Sequence, residues 1–418
     1  MKSQAKKIID ILERKGYEAY LIGGAVRNTL HNFKYGEELP IKDFDIVTNA
    51  SCEQVMELFE DTEARGVQFN VAVVKLDGYE FEVAQYRGES YPEGGSLRPD
   101  KVYPVQTLEE DLKRRDFTIN AIAMDKMDLI RDPLEGCIDI RNRLIRAIGD
   151  PNERFSEDPL RMIRAFRFMS QLDYYLDKKT KFGIKNNLGL LKNIPHERMK
   201  AEIDKMLRGQ AVGVALLNMK MVGVHKHTFL NSITSQQVPV LDGVLTLSYE
   251  LLNDVIHKLE EYDRDQLDIT ELYYLLYYYT SYDEAEKSLK ESMFLNEKEI
   301  ERVLLLLKYN KILLSKDNLD IFNLVKEIGE QRGLSYLKDI IDSYHKLHRI
   351  NLDYLLEKSL FKSQLPYNGN DIVMYGEKLN IKPGKWVGQV LDKMQLYAIS
   401  EVEYEIETII EEMVGDGK

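Results

Sequence analysis

The sequence predicts an α+β N-terminal domain followed by an all-α remainder. In the first 150 residues, segments with helical spacing of apolar residues give way to short runs typical of strands. From about Pro151 onward, apolar residues recur at helical spacing almost throughout, as in Leu251, Val255 and Leu259. Because a chain of 418 residues exceeds what one hydrophobic core supports, we expect several domains.

The first part of the N-terminal domain mixes helices and strands. The apolar run Tyr20-Leu21-Ile22 ends in two glycines, which favours a strand followed by a turn. The expected elements are a helix over residues 4–15, strands near Tyr17–Ile22 and Asp43–Val47, and a helix near Cys52–Glu60.

A β-hairpin is predicted next. The runs Val71–Lys75 and Tyr79–Ala84 are joined by Asp77-Gly78, a dipeptide typical of tight hairpin turns. The polar, glycine-rich stretch 87–104 is too long for a simple connection, so we expect a mobile functional loop there. The last expected elements of this domain are a helix over Leu108–Arg115 and a strand over Asn120–Asp125. Together these strands predict a small, mostly antiparallel sheet.

Charge is unevenly distributed along the chain. The net charge of −13 argues against a non-specific nucleic-acid binder. Residues 141–210, however, contain 16 Lys and Arg against 9 Asp and Glu, a local net charge of +7. This zone predicts either local attraction of a polyanion or an ordinary solvated helix face.

The composition favours a cytoplasmic protein. Only Cys52 and Cys137 occur, without metal-site spacing, which fits a reducing compartment. No apolar run approaches the length of a membrane span, and the N-terminus does not have the pattern of a signal peptide. We therefore expect no membrane partner.

Two aspartates of the second predicted strand are candidate metal ligands. Strand residues two apart point to the same side, so Asp43 and Asp45 would share one small volume while Phe44 and Ile46 face a core. Two unpaired carboxylates this close repel each other unless a cation lies between them. Oxygen ligands suit Mg²⁺, which typically takes one or two protein carboxylates plus substrate phosphates. The alternative is an acidic pair on an ordinary surface strand.

The glycine pair before these aspartates is a candidate phosphate site. Gly23 and Gly24 would let backbone N–H groups approach a phosphate, and Arg27 follows on the next helical turn. A glycine pair alone usually marks only a turn. In this order and spacing, the two motifs together predict a nucleotidyl-transfer site.

Residues 114–121 place two arginines and an aspartate between a predicted helix and strand. Arg115 is a candidate for contact with triphosphate oxygens, and Asp116 is a candidate acceptor for a ribose hydroxyl. The alternative is an ordinary helix end, where basic residues suit the helix dipole.

The segment Ser156–Arg161 predicts a helix start, with Ser156 as the N-cap and Pro159 in the first turn. Asp158 and Arg161 would then be neighbours on one helix face. An aspartate that accepts from an exocyclic amine and an arginine that donates to a ring nitrogen match cytosine and adenine but not uracil or guanine. The alternative is a helical ion pair worth a few tenths of a kcal/mol.

These motifs resemble those of the class II CCA-adding enzymes of the tRNA nucleotidyltransferase/poly(A) polymerase family. The stronger matches are Gly23-Gly24-Ala25-Val26-Arg27, Asp43-x-Asp45, Arg114-Arg115-Asp116-x₃-Asn120-Ala121, Glu157-Asp158-Pro159-Leu160-Arg161 and Arg164-Ala165-Phe166-Arg167-Phe168. Weaker matches are Glu197-Arg198-Met199 and Gly384-Lys385-Trp386-Val387-Gly388. The strong part covers about the first 210 residues.

The resemblance implies a DNA polymerase β-like nucleotidyltransferase head with helical neck, body and tail. The implied domains are a catalytic head over 1–149, a base-recognising neck over 150–210, a body over 211–330 and a tRNA-binding tail over 331–418. The implied partners are the tRNA 3′ end, CTP and ATP, with neither DNA nor a membrane.

The resemblance also implies a chemistry. Mg²⁺ held by Asp43 and Asp45 would position the nucleotide, the tRNA 3′-hydroxyl would attack its α-phosphate, and pyrophosphate would leave. A third carboxylate should come from a neighbouring strand, with Glu82 as the candidate and Glu80 as the fallback. The implied nucleotide-binding residues are Gly23, Gly24, Arg27, Arg115, Asp116, Asn120, Asp158, Arg161 and Arg164.

Some positions depart from the family pattern. Asn28 stands where aspartate is usual, Gln68-Phe69-Asn70-Val71 lacks a glycine-threonine pair, and Leu97-Arg98 replaces a double arginine. The loop over 87–104 nevertheless has full length, which predicts addition of A as well as C. The alternatives are an A-adding enzyme or poly(A) polymerase and, outside enzymes, an inactive RNA-binding protein on the same scaffold.

Overall fold

The structure, a computed structural model, describes residues 1–65, 71–92, 99–228, 247–292, 294–315, 318–326, 334–348, 362, 365–400 and 402–415. The chain forms two compact units, Met1–Glu260 and Glu261–Lys418. The predicted order of an α+β domain followed by helices is confirmed. The predicted four-domain boundaries stay a prediction.

The described strands all belong to the first unit. They are β1 Ala19–Ile22, β2 Asp45–Thr48, β3 Thr62–Arg65, β4 Val71–Leu76, β5 Tyr79–Gln85, β6 Arg87–Ser90, β7 Lys101–Pro104, β8 Ala123–Met124, β9 Ile130–Arg131, β10 Leu144–Ile145 and β11 Tyr175–Leu176. A seven-stranded sheet has the order β3-β4-β5-β2-β1-β8-β9. Of its neighbouring pairs, β2 and β5 run parallel and the others antiparallel, which confirms the mostly antiparallel prediction.

The helices of the first unit lie between its strands along the chain and make up most of its C-terminal part. They are α1 Lys2–Arg14, α2 Gly24–Tyr35, α3 Cys52–Leu58, α4 Leu108–Lys113, α5 Gly136–Arg141, α6 Pro151–Glu157, α7 Leu160–Leu172, α8 Lys178–Asn186, α9 His196–Leu207, α10 Val212–Val222 and α11 Leu247–Glu260. α1 buries Ala5, Ile8, Ile9 and Leu12 as its spacing predicts. α3 and α4 both begin with a complete capping box, at Ser51 and Thr107.

The predicted hairpin is confirmed. β4 and β5 pair from Val71–Ala84 to Leu76–Tyr79. Asp77 and Gly78 both have positive φ, 52° and 80°. A two-residue turn with positive φ at both positions matches the twist of the strands that it joins.

Two predictions for this region are wrong in part. The ends of the expected loop form a second hairpin, because Arg87–Ser90 pairs with Lys101–Pro104. The departures at 97–98 and at Gln68–Asn70 lie outside the described residues. The expected strand at Asn120 begins only at Ala123, because residues 118–120 form a 3₁₀ turn that aims the Asn120 side chain at Arg27.

The predicted helix start at Ser156 is also wrong. Ser156 lies inside α6, whose N-cap is Asp150. Asp158 is extended, with φ −135° and ψ 98°, and separates α6 from α7. The break arises because a proline disfavours helical geometry in the preceding residue. Asp158 and Arg161 therefore do not share a helix.

Among the described residues of the second unit, every secondary-structure element is a helix. Its helices are α12 Ile269–Tyr277, α13 Tyr282–Ser292, α14 Glu297–Ser315, α15 Asn318–Leu324, α16 Leu334–His348, α17 Gly369–Lys378, α18 Trp386–Ser400 and α19 Ile406–Gly415. Its C-terminal helices share a core that includes Ile372, Trp386, Val390, Met394 and Ile410. Among the helices described, none is long and apolar enough to cross a membrane.

Candidate active site

A cleft of about 1250 Å³ in the first unit is lined mainly by charged side chains. The basic side chains are Arg27, Arg87, Lys101, Arg114, Arg115, Arg161, Arg164, Arg167 and Arg198. The acidic ones are Asp45, Glu89, Asp100, Asp116 and Asp158. This excess of positive charge suits a polyanionic ligand such as a nucleoside triphosphate.

Most of the predicted site residues meet in this cleft. The predicted residues that line it are Gly23, Gly24, Arg27, Asp45, Arg115, Asp116, Asn120, Asp158, Arg161 and Arg164. Asp43 and Glu82 are not part of its lining. The fold thus brings residues up to about 140 positions apart in the sequence into one site.

The two aspartates before and at the start of β2 have the exposure that the alternating pattern predicts. Phe44 and Ile46 are buried, whereas Asp43 and Asp45 are exposed. Gly23, with φ 75°, directly follows β1, and a β-carbon added to it would lie 3.6 Å from the Oδ2 atom of Asp45. The positive φ favours glycine at this position.

Negative charge accumulates around Asp45. The Asp45 side chain is accessible from the cleft. The surrounding protein nevertheless displaces much of its water, and this raises the pKa of Asp45. Glu82 and Asp43 raise the pKa of Asp45 further, against a lowering effect of Arg115. Asp45 and Glu82 immediately precede Ile46 and Val83, which pair on the parallel strands β2 and β5.

Glu82 forms an ion pair with Arg65 of β3. Its Oε1 accepts a hydrogen bond from Nη1 of Arg65 at 3.2 Å, and the fallback residue Glu80 lies 3.7 Å from the same guanidinium. Within the part of the chain that the structure describes, no three His, Cys, Asp or Glu side chains are grouped so as to hold a metal. The role of Glu82 therefore stays a prediction.

Arg27 is buried between the head and α7. Its Nη1 donates to Oδ1 of Asn120 at 2.5 Å, and its guanidinium lies 5.0 Å from the Phe168 ring centre. Burial, and then the nearby Arg167, lower the pKa of Arg27 to about 10, so it stays charged at neutral pH. Asn28, the residue that departs from the family pattern, accepts from Nε of Arg27 and donates to the Pro40 carbonyl.

Asp116 is the centre of a hydrogen-bond chain that connects Arg27 to α7. Its Oδ1 accepts from Asn120 at 2.9 Å and from the Phe117 backbone at 2.7 Å, while its Oδ2 accepts from Nε and Nη2 of Arg164 at 2.9 and 2.7 Å. Burial alone would raise the pKa of Asp116, but Arg164 and these hydrogen bonds lower it to about 2. The predicted contact of Asp116 with a ribose stays a prediction.

Further residues support this chain, although the motif analysis assigned them no role. Glu202 of α9 lies 2.6 Å from Nε of Arg167 and 3.5 Å from Nη1 of Arg164. Phe168 packs its ring against three guanidinium groups, those of Arg27, Arg164 and Arg167. The Arg164–Phe168 motif marked this part of α7 in the sequence. Its partners Glu202 and Arg27 lie on other helices, so only the folded chain shows these contacts.

Arg161 is buried, and both of its Nη atoms donate to protein acceptors. Nη1 donates to Glu157 at 2.8 Å and to the Arg154 carbonyl at 3.2 Å, and Nη2 donates to the Arg114 carbonyl at 3.1 Å. Oδ1 of Asp158 accepts from the Leu160 backbone at 3.0 Å, and burial raises the pKa of Asp158. Both side chains lie in the cleft wall, and each is held there by contacts with other residues.

Family models match both halves of the first unit. The poly A polymerase head domain matches residues 19–146. A model described as the probable RNA and SrmB-binding site of polymerase A matches residues 173–233.

Relatives of known name match between half and nearly all of the chain. A CCA-adding enzyme of Ligilactobacillus salivarius is 33% identical over 403 residues, which cover 93% of this chain and 91% of that protein. One from a Geobacillus species is 46% identical over 213 residues, or 51% of each chain. A crystal structure of the Bacillus stearothermophilus CCA-adding enzyme in complex with CTP has a TM-score of 0.72 at 28% identity, covering 99% of this chain and 97% of that one.

Proposed function

This chain belongs to the CCA-adding enzyme family, and from that premise we propose that it adds C, C and A to the 3′ end of tRNA without a template. CTP and ATP are the substrates, and pyrophosphate is released at each addition. The observation that carries this conclusion is similarity along nearly the whole chain to a CCA-adding enzyme. The cleft adds a physical reason, since its arginines surround the volume next to Asp45.

The family's chemistry uses a divalent metal ion, and we propose Mg²⁺ held by Asp43 and Asp45. Both offer carboxylate oxygens that are exposed just before and at the start of β2, and Glu82 and Asp43 add to the negative charge around Asp45. Because Mg²⁺ commonly takes one or two protein carboxylates, two aspartates suffice alongside substrate phosphates. A bound divalent ion supplies charge neutralisation at the phosphate oxygens.

The protein's own residues position the reaction. Backbone N–H groups at Gly23 and Gly24 and the guanidinium of Arg115 bind the triphosphate, while Arg27 fixes Asn120 and through it Asp116. The tRNA 3′-hydroxyl oxygen forms a bond to the α-phosphorus, the bond from that phosphorus to the pyrophosphate oxygen breaks, and the hydroxyl proton passes to water. Glu82 is the proposed third carboxylate, and its Oε1 accepts a hydrogen bond from Arg65 in the structure.

Asp158 and Arg161, which line the same cleft as Asp45, select the base in this proposal. An ionised Asp158 accepts from the exocyclic amine of C or A, and Arg161 donates to the adjacent ring nitrogen. In the structure Arg161 donates to Glu157 and to two backbone carbonyls, and these bonds hold its guanidinium at the cleft wall. A base with the opposite donor pattern would leave buried polar groups unpaired.

The remaining assignments follow from family membership. We propose the head over 1–149, the neck over 150–210, the body over 211–330 and a tRNA-binding tail over 331–418, with the enzyme acting in the cytoplasm. The zone 141–210 fits a contact with tRNA phosphates because it is locally basic, although the chain as a whole is acidic.

Incorporation into tRNA that ends at the discriminator base tests this function. CTP alone should extend the tRNA by two residues, ATP alone by none, and both together by three. No CMP incorporation by the purified protein would overturn the proposal and leave the A-adding or poly(A) polymerase alternative.

A further inference from the structure

Asp111 of α4 is a completely buried carboxylate that the reaction described above does not use. Its Oδ1 accepts from Nε and Nη2 of Arg114 at 2.9 and 2.8 Å. Its Oδ2 accepts from Nε and Nη2 of Arg115 at 3.3 and 3.0 Å. One carboxylate therefore holds two consecutive arginines, both of which line the cleft.

The buried charge of Asp111 offsets the repulsion between neighbouring arginines. Arg114 and Arg115 lie close to Arg87, whose pKa is lowered first by burial and then by Arg114. Cations crowded in this way repel one another and would turn toward solvent unless a buried negative charge held them. Burial alone would raise the pKa of Asp111, but Arg115 and Arg114 bring it below its usual range, so the carboxylate is ionised.

Asp111 is itself fixed by neighbouring elements. Its Oδ1 also accepts from the Arg87 backbone N–H at 3.2 Å, which ties α4 to the start of β6. Glu89 of β6 accepts from Nη1 of Arg114 at 2.8 Å on the other side. The orientation of both guanidinium groups is therefore set before any ligand arrives.

We propose that Asp111 is a positioning residue for the triphosphate, acting through Arg114 and Arg115. It contacts neither base nor reacting atoms, and it preorganises two cations toward phosphate oxygens. The proposal rests on the proposed function in one respect, that CTP and ATP bind in this cleft. Its distinctive consequence is that the effect of Asp111 grows with the number of phosphates on the ligand.

Calorimetric titration of the full chain with CTP and with CMP tests this consequence. Asp111→Asn preserves the shape of the side chain but removes the charge and turns an amide N–H toward one guanidinium. Affinity for CTP should fall about tenfold, the size expected for weakened charge-assisted hydrogen bonds, while affinity for CMP stays near wild type. A merely structural role would weaken both ligands alike.

A matched control lies on the same helix. Glu109 is exposed and pairs with Lys113 at 2.8 Å, so Glu109→Gln should leave CTP and CMP binding unchanged. If Asp111→Asn does not fold, Arg115→Lys gives the second test, because lysine keeps the charge but cannot make the two-bond contact with Oδ2. This variant should also lose several-fold in CTP affinity without losing CMP affinity.

Two results would overturn the proposal. One is a folded Asp111→Asn or Arg115→Lys variant with wild-type CTP affinity, and the other is an equal loss for CTP and CMP. Failure of the proposed function is distinguishable, since in that case the wild-type protein itself would bind no CTP.

Discussion

Replacing Asp116 by asparagine should leave Arg164 without its main counter-charge. Asp116 is buried and accepts four hydrogen bonds, two of them from Arg164. Asparagine has one acceptor oxygen in place of two, and its amide N–H groups would face the donors of Arg164 or Asn120. The substitution therefore removes a charge and introduces a donor–donor contact in a buried position.

The expected loss of stability is worked from the pKa of Asp116. That pKa is lowered from 3.8 to about 2. Each unit corresponds to about 1.4 kcal/mol, so the ionised carboxylate stabilises the folded state by about 2 to 3 kcal/mol. Arg164 keeps a second carboxylate, Glu202, at 3.5 Å, which favours this range over the larger cost of an unpaired buried charge.

The stabilisation should depend on pH with a definite sign. Because the folded-state pKa lies below the unfolded-state value, the contribution is complete above about pH 5 and is lost as the pH falls toward 2. The advantage of the wild-type protein over Asp116→Asn should shrink by about 1 kcal/mol between about pH 5 and pH 3.

Thermal unfolding of the two proteins, followed by circular dichroism, measures this effect. At neutral pH the unfolding midpoint of the first unit should fall by about 5 to 10 °C in Asp116→Asn. Hydrogen exchange would assign the loss to α7 and its neighbours. The matched control is Asp128→Asn, an exposed carboxylate paired with Lys2 and Lys6, whose midpoint should hardly change. Equal midpoints for wild type and Asp116→Asn, or an advantage that grows as the pH falls, would refute the reasoning.

Three further substitutions or conditions test the site. Asp158→Ala or Arg161→Ala should relax the preference for C and A or lower incorporation at least about tenfold, measured with all four nucleotides; unchanged selectivity in both would remove them from base reading. Glu82→Gln should lower kcat by about tenfold or more at similar CTP affinity, with Glu80→Gln as the neighbouring control, and the reverse result would make Glu80 the third carboxylate. A chelator should stop CMP incorporation and added Mg²⁺ should restore it, so activity that persists in the chelator would contradict the metal assignment.

Local patterns predicted the parts of the site that depend on neighbouring residues in the chain. The alternation of Phe44 and Ile46 with two aspartates, the end of the first strand at Gly23 and the Asp77-Gly78 turn all appear in the structure. In each case the geometry is set within a few residues, by strand alternation or by the freedom of glycine.

The break at Asp158 was missed because the same residues satisfy two local rules. Ser156 is a good N-cap, but Asp150 followed by Pro151 starts the helix earlier. Pro159 then separates α6 from α7 instead of lying in the first turn of a helix begun at Ser156. Both starts satisfy the local rules, so the spacing of residues alone does not choose between them.

Buried polar partners were the largest omission. Asp111 stands three and four residues before Arg114 and Arg115, a spacing that indicates contact on a helix, so this set was within reach of the sequence. Arg27 and Asn120 are 93 residues apart, and Asp116 and Arg164 are 48 apart. Such pairs follow from the tertiary fold, and no local pattern predicts them.

The most direct test of the central claim replaces the two aspartates of the β2 motif together. Asp43→Ala with Asp45→Ala should abolish CMP and AMP incorporation while tRNA binding, measured by a filter or gel-shift assay, stays close to wild type. Loss of catalysis with binding retained would show that these carboxylates serve the transfer step. Incorporation that survives the double substitution would contradict the account.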